Sequence, residues 1–229
     1  MNRFETNKQM VLAVAQSLGA LLPDVVFLGG SVAGFLISNP AFLNVRPTDD
    51  VDLVVEVASY VKYQDLLATL RSMGFTHDMD GPWCRLKIHG IKVDVMPTKE
   101  AILNFSNRWY VPAMATATDF QLSKDVTIKL ISAPLFLCTK LDAFSDRGHG
   151  DYLSSSDIED VVAIVNGRDE LIEECAAQNG AVVEYLAANF RQLIGADLFL
   201  NALPGILPYT ARNREAIVVS RMTELSALL

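Results

Sequence analysis

Two aspartates in RPTDDVDLVVEV, Asp50 and Asp52, sit two residues apart in a run that alternates strictly. In an extended strand Val51, Leu53, Val55 and Val57 face one way, and both carboxylates face the other. Like charges so placed repel, and the pair is tolerable when a cation or basic groups lie between them. Mg²⁺ takes oxygen ligands and keeps part of its shell for water and phosphate, so such a pair suits it. Taken alone, the pair also fits the solvated face of an edge strand. A third carboxylate, Asp94, lies in GIKVDVMP, where Val93 and Val95 point away from Lys92, Asp94 and Met96. Three carboxylates on two strands of one domain fit phosphoryl transfer, in which two bridge metal ions and a third binds metal and accepts a proton. Upstream, LGGSVAG (Leu28 to Gly34) follows an apolar run, and its glycines allow backbone N–H groups to approach a phosphate at a helix start. That run also fits a plain strand-to-helix turn. It has neither the P-loop spacing nor a GxGxxG.

Basic groups come later. Lys140 falls between Leu137 and Phe144 on the apolar stripe of a helix, where an unpaired ammonium is costly, so it is expected to meet a phosphate or a carboxylate, or to snorkel from the stripe's edge. Arg147 shares that face and can meet phosphate or pair with Asp157 or Asp160. Asp157 follows Ser154, Ser155 and Ser156 and reads equally as first-turn helix chemistry or as a site residue. Asp160 borders the apolar face of Ile158, Val161 and Val162 and is the better partner for Lys140. Arg85 and Lys87, on the strand before Asp94, are candidate nucleotide or product contacts, or a solvated charged face. His77, His89 and His149 are isolated and receive no catalytic role.

The elements that must position these groups divide the chain in two. From about Met10 to Ile131, strand-like runs (Val25 to Leu28, Val51 to Val57, Ile91 to Met96, Val126 to Ile131) alternate with helical stretches, an α/β pattern. A helix is expected from Ser31 to the Asn39-Pro40 pair, and another over Tyr60 to Met73, striped by Leu66, Leu67 and Leu70 and ended by Gly74. From Ala133 the apolar residues recur at threes and fours, so the remainder reads as helical. The expected domains are 1–132 and 133–229.

At 229 residues and 51% hydrophobic composition the chain can bury a proper core. No apolar run approaches the ~20 residues of a membrane span, and MNRFETNKQM does not look like a secretory signal; the expectation is a soluble cytoplasmic protein without membrane partners. Cys84, Cys138 and Cys175 form no metal-binding spacing and read as reduced, mostly buried thiols. A net charge of −8 and a pI near 4.9 disfavour binding nucleic acid through overall charge, leaving room for a local basic pocket.

The order of GGS, then DVD, then a lone Asp in a later strand resembles the DNA polymerase β-like, or minimal, nucleotidyltransferase superfamily over about residues 20 to 131. TKLDAFSDRGHGDYLSSSDIEDVVAIV (Thr139 to Val165) resembles the helical motif of AbiEii/AbiGii toxin-type nucleotidyltransferases. The resemblance implies an α/β (α+β) nucleotidyltransferase fold with a mixed sheet, followed by a C-terminal helical domain. It implies Asp50, Asp52 and Asp94 as ligands of Mg²⁺ or Mn²⁺ and as the catalytic carboxylates, with Lys140 as the motif lysine. Gly29, Gly30 and Ser31, with Lys140, Arg147 and Asp160, would contact a nucleoside triphosphate. Two departures stand out: the helix after the glycine turn has little charge, and the family's arginine just before the aspartate is absent. The implied acceptor is a hydroxyl, of RNA or tRNA first, with a toxin or phage-defence role and a cognate antitoxin as partner; a protein side chain or an aminoglycoside-like hydroxyl fits the same triad. A non-catalytic nucleotide- or partner-binding module of the same fold is the alternative; inactive relatives typically lose a carboxylate, and all three are present.

Overall fold

Four consecutive buried residues, Val25–Leu28, form β1, a strand covered on both faces, as its unbroken apolar run requires. β2 (Asp50–Val55) pairs with it antiparallel, and alternation in β2 holds at Asp50, Val51, Asp52 and Leu53 before Val54 and Val55 are both buried. The strand stops two residues short of the expected Val57. Short strands β3 (Thr76–His77) and β4 (Arg85–Ile88) lead to β5 (Ile91–Pro97), and β6 (Thr118–Ser123) precedes β7 (Val126–Leu130). The computed structural model describes residues 2–148 and 150–228, so His149 lies outside the described residues.

These strands make one mixed sheet in the order β3-β4-β5-β2-β1-β7-β6. β1–β7 and β2–β5 are parallel, whereas β1–β2, β4–β5, β3–β4 and β6–β7 are antiparallel. Helix α1 (Arg3–Leu18), capped by the Asn2 side chain, lays Asn7, Val11, Val14, Ala15 and Leu18 against the sheet, a spacing of threes and fours that gives one helical face. α2 (Tyr60–Ser72) is capped by Ser59 and buries Tyr63, Leu67 and Leu70; Leu66 is only half-buried. Gly74, with φ +98°, takes the chain out of α2 in the conformation a side chain resists. α3 (Glu100–Leu103) and α4 (Tyr110–Thr116) complete a compact unit made of Met1–Val32 and Pro47–Ser132.

A second unit consists of Ala33–Arg46 and Ala133–Leu229. Its helices are α5 (Ala133–Arg147), α6 (Ser156–Gly167), α7 (Leu171–Ala176), α8 (Gly180–Ile194), α9 (Asp197–Ile206) and α10 (Glu215–Ser226), and no strand occurs here among the described residues. α5 packs on α6, α7 and α8, while α10 packs on α6, α7 and α8. The residues after Ser31 depart from expectation: they form a 3₁₀ helix, Gly30–Leu36, and Asn39 caps a separate turn, Pro40–Phe42, instead of closing one long helix. Gly30 and Gly34 within seven residues weaken an α-helix, and the tighter 3₁₀ form is what short runs adopt. No helix among the described residues is long and apolar enough to cross a membrane.

Candidate active site

Strand register brings the carboxylates together. Leu28 of β1 stands opposite Asp52 of β2, Asp52 opposite Asp94 of β5, and Asp94 opposite Arg85 of β4, so four residues distant in sequence form one row across the sheet. Asp50 is two residues along β2 and therefore on the same face as Asp52. One carboxylate oxygen from each of Asp50, Asp52 and Asp94 can be chosen so that all three lie within 4.8 Å of one another. Asp94 is buried, and Asp50 and Asp52 are half-buried.

A basic group lies against this cluster. Arg85 donates from Nε to Asp94 Oδ1 at 2.7 Å and from Nη2 to Asp94 Oδ2 at 2.6 Å, a fork on both carboxylate oxygens. The same Nη2 is 3.8 Å from Asp50 Oδ2. The hydrogen bonds to Asp94, against the cost of burial, raise the guanidinium above its ordinary range, so it stays charged. Thr48 Oγ1 hydrogen-bonds Asp50 Oδ1, and Lys92, opposite Asp50 in register, gives its ammonium to Asp49.

The glycine turn follows directly from Leu28, the residue paired with Asp52. Gly29 has φ +75°, and a Cβ there would fall 1.7 Å from Asp52 Oδ2. Glycine is required twice over: for the backbone conformation and to leave room for the carboxylate. Ser31 is buried, and its Oγ has no hydrogen-bond partner among the described residues. A buried hydroxyl normally finds a partner, so its lack of one is what a site for an oxygen-rich ligand would display. The donor set of the cluster is all carboxylate, which suits a hard divalent cation.

The other sequence candidates assemble in the second unit. Lys140 is buried; its Nζ lies 2.7 Å from Asp160 Oδ2 and 3.3 Å from Asp157 Oδ1. Burial pulls the ammonium down, but Asp160 and then Asp157 outweigh it, and the lysine ends above its ordinary value. Arg147, largely exposed, forks onto Asp157 with Nε and Nη2 both at 3.0 Å. Asp157 is thus a paired buried carboxylate, and the helix cap is Ser155, which accepts from Ile158 N. Sequence reasoning missed Arg46, whose Nε is 3.1 Å from Asp160 Oδ1. Its position beside a proline gave no sign of a partner 114 residues away. Lys140, Arg147 and Arg46 against Asp157 and Asp160 make three cations and two carboxylates, a net +1.

No protein-family model matches this sequence, and no curated protein matches it. Among solved structures, the chain is similar to the crystal structure of an antigenic nucleotidyltransferase-like protein from Paracoccidioides brasiliensis, at 20% identity and a TM-score of 0.49, over 86% of this chain and 92% of that one.

Proposed function

We propose that the protein is a nucleotidyltransferase that moves a nucleoside monophosphate from a nucleoside triphosphate onto a hydroxyl, using Mg²⁺ or Mn²⁺. The observation that carries this reading is the carboxylate cluster of Asp50, Asp52 and Asp94 beside the Gly29 turn, with ligand oxygens within 4.8 Å. In this reading the catalytic domain is drawn from residues 1–132 and the helical domain is 133–229, with Ala33–Arg46 packed in the second unit.

Asp50, Asp52 and Asp94 would hold the metal, which would supply Lewis-acid polarisation of the phosphate oxygens. Gly29, Gly30 and Ser31 receive the triphosphate, and Ser31 Oγ gains the partner it lacks. The 3₁₀ helix that follows is short, so the turn acts through its own N–H groups and hydroxyl more than through a helix dipole. Asp94 accepts the proton of the acceptor hydroxyl as its oxygen bonds to the α-phosphorus. The bond from that phosphorus to the bridging oxygen breaks, and pyrophosphate leaves with the electron pair. Lys140, Arg147 and Asp160 are assigned to nucleotide handling on the excess positive charge of their own cluster. RNA, tRNA ends first, is the proposed acceptor, with a toxin or phage-defence role, a cognate antitoxin and a cytoplasmic location as the finer proposals drawn from the sequence resemblance.

The test is incubation with each of four α-labelled nucleoside triphosphates, Mg²⁺ or Mn²⁺, and separate pools of RNA, protein and small hydroxyl compounds. Label transferred by the parent protein and lost in Asp50→Ala and Asp94→Ala supports the reading and identifies the acceptor class. No transfer and no metal-dependent triphosphate binding would replace it with a non-catalytic module.

A further inference from the structure

We infer that Arg85 is the protein's own counter-ion for the aspartate cluster, a cation that holds Asp94 and Asp50 together before metal arrives and competes with the metal for them. The inference rests on the metal-site reading of Asp50, Asp52 and Asp94.

The first observation is geometric. Each oxygen of Asp94 accepts one hydrogen bond from the guanidinium, at 2.7 and 2.6 Å, and keeps a lone pair. A divalent cation held by either oxygen would share that oxygen with the guanidinium and so stand close to a second positive charge. Two cations so placed repel. Since Nη2 is also 3.8 Å from Asp50 Oδ2, the positive charge is shared by two of the three carboxylates a metal would use.

The second observation is that Arg85 cannot resolve the conflict by losing its proton. An arginine remains charged at any pH the fold survives, so it must tolerate the metal or move. Movement has a path, because the Arg85 side chain retains 21% of its exposure.

The third concerns what holds the side chain in place. Its stem lies along the turn before β4: a Cβ on Gly81 would meet Arg85 Cδ at 2.7 Å and Cβ at 3.2 Å. Gly81 N donates to Asp78 O, and Arg85 N to Pro82 O, closing the turn. Gly81 is therefore a handle on the placement of Arg85 that touches no carboxylate of the cluster. Removing the guanidinium leaves three carboxylates in mutual repulsion without metal, and relieves only a repulsion once metal is bound. The metal-free state loses more than the loaded state, so metal affinity rises.

The experiment measures Mn²⁺ binding to the full chain without nucleotide, by the electron-spin-resonance signal of free Mn²⁺, together with thermal melting in EDTA and in Mn²⁺. Arg85→Gln should bind Mn²⁺ about fivefold or more tightly than the parent, melt lower in EDTA, and recover with Mn²⁺. Gly81→Ala should shift affinity in the same direction by a smaller factor, and it serves if Arg85→Gln does not fold. Unchanged or weaker Mn²⁺ binding in the Arg85 variant, or in Gly81→Ala when that is the only folded variant, overturns the inference while leaving the metal site standing, provided Asp52→Asn abolishes binding in the parent. Binding that survives Asp52→Asn, or that is absent from every variant, overturns the metal-site reading and this inference with it.

Discussion

Gly29 is the residue at which backbone and side-chain demands coincide. Its φ of +75° disfavours any side chain, and a Cβ would occupy the position of the Asp52 carboxylate. Gly29→Ala should cost about 1–3 kcal/mol in strain and push Asp52 out of line with Asp94. Urea unfolding reads the first effect and Mn²⁺ titration the second; an alanine variant with parental stability and affinity would show that the turn adapts. Cys84 offers a second check at this scale. Burial, with Asp94 nearby, pushes its thiol up to about 11. All three cysteines are buried and none is in a disulfide. In the native protein at pH 8 none should react with a chromogenic disulfide reagent over minutes, and all should react in urea, because the thiolate is the reactive form.

At the level of elements, α5 and α6 are tied by charges in an otherwise apolar interface. Lys140 is held between Asp157 and Asp160, while Arg147 and Arg46 brace the two carboxylates from outside. Lys140→Met should destabilise the fold by about 3 kcal/mol, since it leaves two buried carboxylates short of a cation. Replacing Lys140 and Asp160 together by apolar residues should cost less than the sum of the single changes. The pH dependence follows from the raised lysine. Its folded value exceeds its unfolded one, so its contribution is complete below the ordinary lysine value of about 10.4 and is lost as pH rises through the raised value. Melting temperatures of the parent and of Lys140→Met should therefore differ by a constant amount from pH 7 to about pH 10 and converge only above it. The same ion pairs show what was legible at this scale. The stripe of α5 predicted that Lys140 would meet a phosphate or a carboxylate or snorkel from its edge, and Asp160, bordering the apolar face of α6, was the better carboxylate partner. Arg46, contributed by a segment far away in sequence, was invisible to any helical period.

For the molecule as a whole, the chain order and the packing order differ. Ala33–Arg46 belongs with the helices of the second unit. There Ile37 lies where a Cβ on Gly167 would come within 2.8 Å, Arg168 donates to Leu36 O, and Asn39 bonds Asp169. A fragment of residues 133–229 expressed alone loses these partners and the Arg46 pair with Asp160. It should show a broadened, less cooperative thermal transition that sharpens when a 33–46 peptide is added; an unchanged, cooperative transition would show that the segment contributes little. Net charge acts at this scale too. With −8 overall, any RNA affinity must come from a few local cations. Three phosphate contacts would give a slope of only about −2 in log K against log salt by filter binding.

Features that depend on local period were legible in the chain. Alternation at Asp50, Val51, Asp52 and Leu53 placed two carboxylates on one strand face, and the apolar run at Val25–Leu28 marked a strand. Spacing of threes and fours after Ala133 marked helices. Length was the weak point: Gly30 to Leu36 became a 3₁₀ turn because two glycines sit in it, and β2 ended at Val55. Which strand stands beside which is settled in the folded sheet. Asp94 meets Asp52 because β5 pairs parallel with β2, and Arg85 reaches Asp94 because β4 is in register with β5. Register is set by all the side chains that the sheet must bury at once, and a shift of one residue would turn every carboxylate to the opposite face. No local pattern contains that information, and for that reason the gathering of three aspartates, two of them against one guanidinium, is a property of the folded sheet.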